Sequence, residues 1–362
     1  MLRVCWLLAA LAPVVFALPG NAAADQLASV DPLLHPWPNG HIISRIDGEA
    51  VRFPSASPFA LNDVESLDPD NPAHEAQGRL FIPPHASPLT PVPGVVLLHG
   101  ARGVTAAREI TYGKQFAAMG VAALVVDAFG SRVENGTSFT KRVIEITESM
   151  VLADAFAAQR ALAARPEVDA SRISMIGFSY GGMASLFAAH QQVADLYSDS
   201  LSRFPGPKVR PFRSHVAFYA PCIARFEDKR STGAPILMMW GDQDELIIED
   251  NCRDLATDLR EGGSEVAVHI FEGAYHQWDG NLSPPWRMPR GLAGCSFTVD
   301  RDGDVHGQLT GTPFKQAMTN WLNRFVILAL CTDTTGFVIG KNYDVRTRSN
   351  QLVGRFLAET LR

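Results

Sequence analysis

The chain has 362 residues, of which 46% are hydrophobic and 19% charged, and its formal net charge is −6. No block of lysine and arginine occurs, so composition gives no support to a partnership with nucleic acid. This length suffices for one large domain, or for one domain with an appended segment.

Residues 1–24 have the pattern of a secretory signal peptide. Arg3 supplies the positive charge, the stretch from Cys5 to Leu18 is apolar, and three small residues end at Ala24. The apolar run is short for a membrane span. We therefore expect cleavage before Asp25, export to the periplasm or the medium, and no membrane span after removal of the signal.

Apolar strands alternate with helices through most of the remaining chain. Residues 25–75 form an irregular segment with an edge strand near 49–53, and residues 76–290 carry the regular alternation. Strands are predicted over 77–82, 94–98, 121–126, 173–176, 215–219, 235–240 and 266–271, and helices over 106–119, 144–164 and 252–262. Continuous apolar strands separated by helices are typical of an α/β fold with a mostly parallel, doubly covered sheet.

Residues 291–362 exceed what this sheet needs and form a C-terminal extension. A hairpin is predicted at Asp302-Gly303, followed by helices over 313–330 and 351–361. The extension either packs on the core or covers a site on it.

Four cysteines remain beyond Cys5, an even number that favours two disulfides in an exported chain. Two of them follow neighbouring strands at the carboxyl edge of the predicted sheet, and the other two lie in the extension. We therefore expect the pairs Cys222–Cys252 and Cys295–Cys331. No C-x-x-C spacing occurs, so a zinc site is not expected.

The segment Gly177-Phe178-Ser179-Tyr180-Gly181 stands between a predicted strand and a predicted helix. In that context G-x-S-x-G indicates a nucleophile elbow, a strained turn that presents the serine hydroxyl. Glycines on both sides of the serine leave room for the strand and the helix to pass closely. Ser179 is therefore the candidate nucleophile.

An acid and a histidine follow later strands, in the chain order of the α/β-hydrolases. Asp244 comes after the strand 235–240, and His276 comes after the strand 266–271. Asp242 and Glu245 are alternative acids. His269 lies within a strand and His190 lies far along the helix after the elbow, so His276 is preferred as the base.

The tetrahedral intermediate of such a reaction needs two backbone donors for its oxyanion. The amide of Tyr180 lies at a helix N-terminus, where the helix dipole also favours negative charge. The loop after the first core strand supplies the second donor, for which Ala101 is the candidate.

Several segments together resemble the dienelactone hydrolase family of α/β-hydrolases. They are 96–103 (Val-Leu-Leu-His-Gly-Ala-Arg-Gly), 127–130 (Asp-Ala-Phe-Gly), 168–169 with 177–182, 241–244 (Gly-Asp-Gln-Asp) and 275–276 (Tyr-His). The resemblance covers about residues 90–280 and implies ester or lactone hydrolysis without a metal or organic cofactor. The namesake enzymes use cysteine as nucleophile, so Ser179 favours ordinary carboxylic esters over dienelactone.

Other side chains are candidates for a substrate pocket. Phe129, Tyr180, Trp278 and Trp286 fall on loops after strands and are candidates for contact with an acyl or alcohol group, although aromatic residues near a sheet edge more often serve in packing. Arg102 and Arg132 are candidates for binding a substrate carboxylate.

The sequence thus predicts an exported serine hydrolase that acts on a small-molecule ester. Two other functions remain open, a serine peptidase of the same fold and a non-catalytic binding protein that retains it. The sequence does not indicate an oligomeric state.

Overall fold

The computed structural model describes residues 29–66, 71–133, 137–309, 312–314 and 320–362. The expected signal peptide, residues 1–24, lies outside the described residues. Within the described ranges, no helix combines the length and the apolar character that a membrane span requires.

Three sheets account for the strands found among the described residues. They are, in chain order, β1 (Glu49–Ala56), β2 (Ala73–Phe81), β3 (Val92–Leu98), β4 (Ala122–Val126), β5 (Val168–Phe178), β6 (His215–Phe218), β7 (Ala224–Phe226), β8 (Ile236–Gly241), β9 (Val266–Phe271), β10 (Trp286–Met288), β11 (Phe297–Val299), β12 (Val305–Leu309), β13 (Thr312–Phe314) and β14 (Phe337–Ile339). The central sheet has the order β1-β2-β4-β3-β5-β6-β8-β9. Its first three strands pair antiparallel, and the others pair parallel.

Helices cover both faces of this sheet. The α-helices within the described residues are α1 (Gly40–Ile43), α2 (Thr111–Ala118), α3 (Phe139–Glu145), α4 (Glu148–Ala163), α5 (Tyr180–Phe187), α6 (Gln191–Leu201), α7 (Glu249–Glu261), α8 (Trp321–Cys331) and α9 (Tyr343–Thr360). Alternate residues of β3 serve the two faces, because successive side chains of a strand point in opposite directions. Val95 and Leu97 pack with α2 and α9, whereas Val96 and Leu98 pack with α4 and α5. The sheet is therefore mostly parallel and doubly covered, as the sequence predicts.

Three predicted helices have different bounds in the structure, each set by a side-chain cap. The helix predicted over 144–164 is two helices, because the Thr147 side chain accepts a hydrogen bond from the Met150 amide and starts α4. The prediction of a helix from 313 is wrong, since residue 313 lies in β13 and α8 begins only after Asn320 caps it. Asn342 caps α9, which therefore begins earlier than the predicted 351.

The C-terminal extension is joined to the core by strand pairing. The predicted hairpin is present, with β11 and β12 antiparallel on either side of Gly303, whose φ is +86°. The sequence analysis missed β7, which pairs parallel with β11, and the pairing of β10 with β14. The backbone amide of Gly340, just after β14, donates to the carbonyl of His276 at 3.1 Å. The extension thus reaches the loop that carries the candidate base.

Both expected disulfides are present. Cys222 is bonded to Cys252, with their Cα atoms 5.0 Å apart. Cys295 is bonded to Cys331, with a Cα separation of 4.8 Å. The first bridge ties the loop after β6 to the start of α7, and the second ties the segment before β11 to the end of α8.

Candidate active site

Ser179 lies between β5 and α5 with φ +53° and ψ −111°, a conformation that non-glycine residues rarely adopt. Its amide donates to the carbonyl of Phe218 at 2.9 Å, which holds the turn against the end of β6. A Cβ atom at Gly177 would collide with the carbonyl of Gly181, and one at Gly181 would lie 2.5 Å from the carbonyl oxygen of Leu98. The two glycines are therefore required by close backbone approach at the elbow.

Asp244 is held in the turn after β8. Its Oδ1 accepts from the Leu246 amide at 3.1 Å, and its Oδ2 lies 2.7 Å from Nδ1 of His276. The two alternative acids point elsewhere. Asp242 is exposed and accepts from the Gly273 amide at 2.7 Å, while Glu245 pairs with Arg287 at 2.8 Å. Of the three acids, only Asp244 contacts the histidine.

His276 is 1% exposed and bridges the serine and the acid. Its Nε2 lies 2.9 Å from Oγ of Ser179, while Nδ1 faces Asp244. Two aromatic rings meet its imidazole edge to face, that of Tyr219 at 4.7 Å and that of Phe337 at 5.1 Å between centroids. The carboxylate on Nδ1 favours the tautomer that leaves Nε2 as the acceptor for the serine proton.

The other two histidines considered are remote from the serine. His190 is stacked on Phe226 at 4.0 Å, and burial lowers its pKa to about 4. His269 lies in β9 beside Phe271, and burial followed by the nearby Arg348 and Arg355 lowers its pKa. The hydrogen-bonded row therefore consists of Ser179, His276 and Asp244.

The two residues of the oxyanion hypothesis lie in segments next to the serine, and the role of their amides stays a prediction. Tyr180 is the first residue of α5, where N–H groups have no acceptor within the helix. Ala101 lies in the loop after β3, and that loop passes the elbow closely, since the Cβ position at Gly100 is 3.4 Å from Cβ of Ser179. The arrangement can present two donors to an oxygen bound beside the serine.

A cleft of about 490 Å³ opens between the loop after β3 and the loop that follows His276. Arg102 and Arg108 line one side, and Gln277, Asn281 and Ile339 line the other. Arg102 lines this cleft, and its contact with a substrate stays a prediction. Since Ile339 belongs to β14, the extension forms part of the wall.

Most of the other pocket candidates do not line this cleft. Phe129 is 2% exposed and packs edge to face on His99 at 4.5 Å, and Trp278 is fully buried with its indole N–H on Ser349. Trp286 is 63% exposed on β10, outside the walls of the cleft. Arg132 is buried in an ion pair with Asp154 and does not reach the cleft. The sequence indicates that these residues follow strands, but it does not determine the direction in which each side chain points.

Tyr219 and Phe337 are the site residues that the sequence analysis missed. Tyr219 directly follows β6, so its place at the carboxyl edge of the sheet was a usable signal. Phe337 belongs to a three-residue strand with no periodic pattern, and nothing in the sequence pointed to it.

Comparison with known proteins identifies a family. The family model described as "Dienelactone hydrolase family" matches residues 77–284, more than half of the chain. The matched range contains the elbow, the acid and the histidine, together with the end of β2 and all of β3 to β9.

A curated protein of Fusarium vanettenii, a probable dipeptidyl-aminopeptidase B, is 27% identical over 223 residues. The match covers 54% of this chain and 23% of that protein. The chain thus spans about a quarter of the length of this relative.

Two solved structures illustrate the neighbours in fold. A dienelactone hydrolase-like promiscuous phosphotriesterase from metagenomic libraries is 20% identical, with 64% of this chain and 84% of that chain covered and a TM-score of 0.49. A dienelactone hydrolase from Anabaena variabilis is 17% identical, with 64% and 88% covered and a TM-score of 0.44. Likeness at this level does not bear on the substrate.

Proposed function

Because the chain belongs to the dienelactone hydrolase family of α/β-hydrolases, we propose that it cleaves carboxylic esters or lactones through an acyl-enzyme on Ser179. One observation carries the proposal, the continuous row of contacts from Ser179 Oγ through the His276 ring to Asp244. In a hydrolase such a row supports nucleophilic catalysis, because a serine hydroxyl needs an adjacent base at neutral pH.

In the proposed acylation, Oγ of Ser179 attacks the ester carbonyl carbon while Nε2 of His276 takes the hydroxyl proton. Asp244 holds the ring through Nδ1 and stabilises the imidazolium that forms. The amides of Tyr180 and Ala101 donate to the oxyanion of the tetrahedral intermediate, each worth a few kcal/mol in known cases. Collapse breaks the bond to the alcohol oxygen, which leaves with the proton from His276.

In the proposed deacylation, a water molecule takes the place of the alcohol. His276 removes a proton from this water as its oxygen attacks the acyl carbon, and the second intermediate collapses to release the acid and return the proton to Ser179. For a lactone, the alcohol and the acid are parts of one product molecule. No redox partner enters either step.

Peptide hydrolysis is the second candidate, favoured by the 27% identity to a probable dipeptidyl-aminopeptidase B. The same residues would act on an amide, with His276 protonating the leaving amine. A p-nitrophenyl ester series of graded acyl length, run beside dipeptide p-nitroanilides, separates the two. We expect turnover of esters and none of the anilides; the reverse would favour the peptidase.

Labelling with a fluorophosphonate probe tests the nucleophile and separates an enzyme from a non-catalytic binding protein. We expect one adduct, mapped by mass spectrometry to Ser179, and loss of both adduct and ester turnover in Ser179→Ala. Ser185→Ala is the matched control. Ser185 is a buried serine on α5, the helix that begins directly after Ser179, and its Oγ contacts the carbonyl of Met175. Unchanged labelling of Ser179→Ala would contradict the proposed nucleophile.

We also propose that the protein is exported, which the two disulfides support because such bonds persist in oxidising compartments. N-terminal sequencing of the protein from periplasm and culture medium should find a chain that begins at Asp25. A chain that begins at Met1 and stays with the cytoplasm would contradict export.

A further inference from the structure

Strained backbone is concentrated around the proposed triad. Among the described residues, the non-glycine residues with positive φ are Ser179, Tyr219 at +38° and Gln277 at +61°. Ser179 is the proposed nucleophile, and Gln277 directly follows the proposed base. Such strain persists only where the surrounding structure enforces it, and it often marks a functional site. The proposed mechanism uses neither Tyr219 nor Gln277, and of these two it is Tyr219 whose ring packs on the base.

The ring of Tyr219 packs on the base. Its centroid lies 4.7 Å from that of His276, with the planes at 61°. Trp278 packs on the same tyrosine ring at 4.8 Å and is fully buried. The imidazole of His276 therefore packs against the ring of Tyr219, and that ring packs against the buried Trp278.

Two buried partners fix the hydroxyl of Tyr219. It accepts from Nη1 of Arg108 at 3.2 Å and donates to Oδ1 of Asp279 at 2.6 Å. Arg108 is 2% exposed and both Tyr219 and Asp279 are fully buried. We call these contacts the Arg108–Tyr219–Asp279 bridge.

The bridge connects the two loops that frame the site. Arg108 donates through Nε to Glu109 at 2.7 Å, and Glu109 in turn accepts from the amide of Thr105 in the loop after β3. Asp279 lies three residues after His276 in the loop that carries the base. A movement of the tyrosine hydroxyl would therefore break contacts to both loops.

We propose that Tyr219 is a positioning residue for His276. The tyrosine ring fixes the orientation of the imidazole, and the Arg108–Tyr219–Asp279 bridge fixes the position of the tyrosine ring. The inference rests on the proposed function, in which His276 moves a proton between Ser179 and the leaving group. A small misplacement of a catalytic group costs rate steeply. Substrate binding is affected less, because Tyr219 is buried beneath the base.

Tyr219→Phe removes the hydroxyl and keeps the ring. We expect kcat for a p-nitrophenyl ester to fall by about tenfold or more, with KM within about twofold of wild type. Tyr197→Phe is the matched control, since Tyr197 is also buried and its hydroxyl donates to the carbonyl of Ser149 at 2.7 Å, away from the site. It should lower the melting temperature by a similar amount and leave kcat unchanged.

Asp279 provides a second test that does not depend on the tyrosine variant folding. Asp279→Asn keeps an oxygen acceptor for the Tyr219 hydroxyl, whereas Asp279→Leu removes it. Burial raises the pKa of Asp279, and an amide oxygen can accept from the tyrosine hydroxyl as a carboxylate oxygen does. We expect the asparagine variant to retain most of the wild-type kcat and the leucine variant to show the loss expected for Tyr219→Phe.

Unchanged kcat in both Tyr219→Phe and Asp279→Leu would overturn the positioning role, as would an equal loss in Tyr197→Phe. Wild-type protein that neither turns over an ester nor reacts with the fluorophosphonate would instead overturn the proposed function, and this inference with it. The wild-type control therefore separates the two failures.

Discussion

At the scale of single residues, the elbow shows how backbone strain presents a nucleophile. A serine at φ +53° is unfavourable in an unconstrained chain. Here the carbonyl of Phe218 binds the Ser179 amide, and α5 continues from the turn with Met183 donating to the carbonyl of Ser179 at 2.9 Å. These contacts stabilise the turn from both sides, so the hydroxyl stays directed at His276.

Replacing each of two acids in the same turn by asparagine, one at a time, tests the role of Asp244. Asp244→Asn should lower kcat by roughly 10,000-fold, because the amide no longer stabilises the imidazolium and favours the wrong tautomer. Asp242→Asn is the control and should stay within about twofold of wild type, as Asp242 contacts the Gly273 amide and not the histidine. Steady-state ester kinetics decide the comparison. A larger loss in Asp242→Asn would identify Asp242 as the functional acid.

At the scale of elements, the C-terminal extension contacts the site at two places. The strand β14 packs Phe337 on the His276 ring. The helix α8 sends Arg324 into the core, where it pairs with Glu148 at 2.7 Å and contacts the hydroxyl of Tyr180 at 3.4 Å. Burial by itself raises the pKa of Glu148, but the Arg324 guanidinium outweighs it and holds that pKa below the usual value.

In this pair the Arg324 side chain is 1% exposed and the Glu148 side chain 23% exposed, and breaking it should destabilise the protein strongly. Arg324→Met leaves the Glu148 carboxylate without its charged partner, for which we expect a loss of about 3–5 kcal/mol in the free energy of unfolding. The double variant Arg324→Met with Glu148→Leu should recover much of it. Urea unfolding measures both.

The exposed pair of Arg253 and Glu249 on α7 is the control for this prediction. Removing its arginine should cost less than about 1 kcal/mol, because water and salt screen an exposed pair. A loss of similar size for Arg324→Met and Arg253→Met would contradict a stabilising role for the buried pair.

The two disulfides connect different segments of the chain. They span 30 and 36 residues, for which loop-closure entropy predicts about 3–4 kcal/mol of stability each. Cys252 lies in the first turn of α7, shortly after Asp244. Replacing Cys222 and Cys252 together by alanine should therefore lower kcat as well as the melting temperature.

Replacing Cys295 and Cys331 together by alanine provides the comparison for the first bridge. This pair lies farther from the acid, so we expect a loss of stability with a smaller loss of activity. Ester kinetics below the melting temperature of both variants decide it. Equal activity of the two double variants would argue against a link between the first bridge and Asp244.

At the scale of the whole molecule, buried histidines make stability depend on pH. Burial lowers the pKa of His190 to about 4 and that of His215 to about 3, both below the ordinary 6.5. The unfolded chain therefore binds protons at a higher pH than the folded protein. The stability that these two histidines contribute is therefore largest above about pH 6.5 and falls as the pH decreases toward 4.

Replacing one buried histidine should flatten this dependence. Between pH 6.5 and 4, we expect His190→Phe to reduce the loss of unfolding free energy by about 3 kcal/mol at most, while keeping an aromatic ring against Phe226. The exposed His35→Gln is the control and should follow the wild-type curve. Melting temperatures measured across this pH range test the prediction; a His190→Phe curve parallel to the wild type would refute it.

Local patterns in the sequence determined the sheet, the elbow and the expected disulfides. Apolar runs separated by helices specify parallel strands buried on both faces. Glycines at fixed offsets around Ser179 specify a turn that only small residues allow, so this turn can be identified without the rest of the fold. The expected cysteine pairs required only that strands close in the chain lie side by side.

Tertiary structure alone decided which side chains meet at the site. Asp242, Asp244 and Glu245 belong to one short polar turn, and the contacts of that turn with β9, β14 and Arg287 select Asp244 as the partner of His276. The side chain of Trp278 is buried in the core, whereas the ring of Tyr219 packs on the imidazole of His276. Phe337 meets His276 from a strand that the local pattern did not reveal. Periodicity encodes which face of an element is buried, whereas contacts between distant segments depend on how the packed elements fit together.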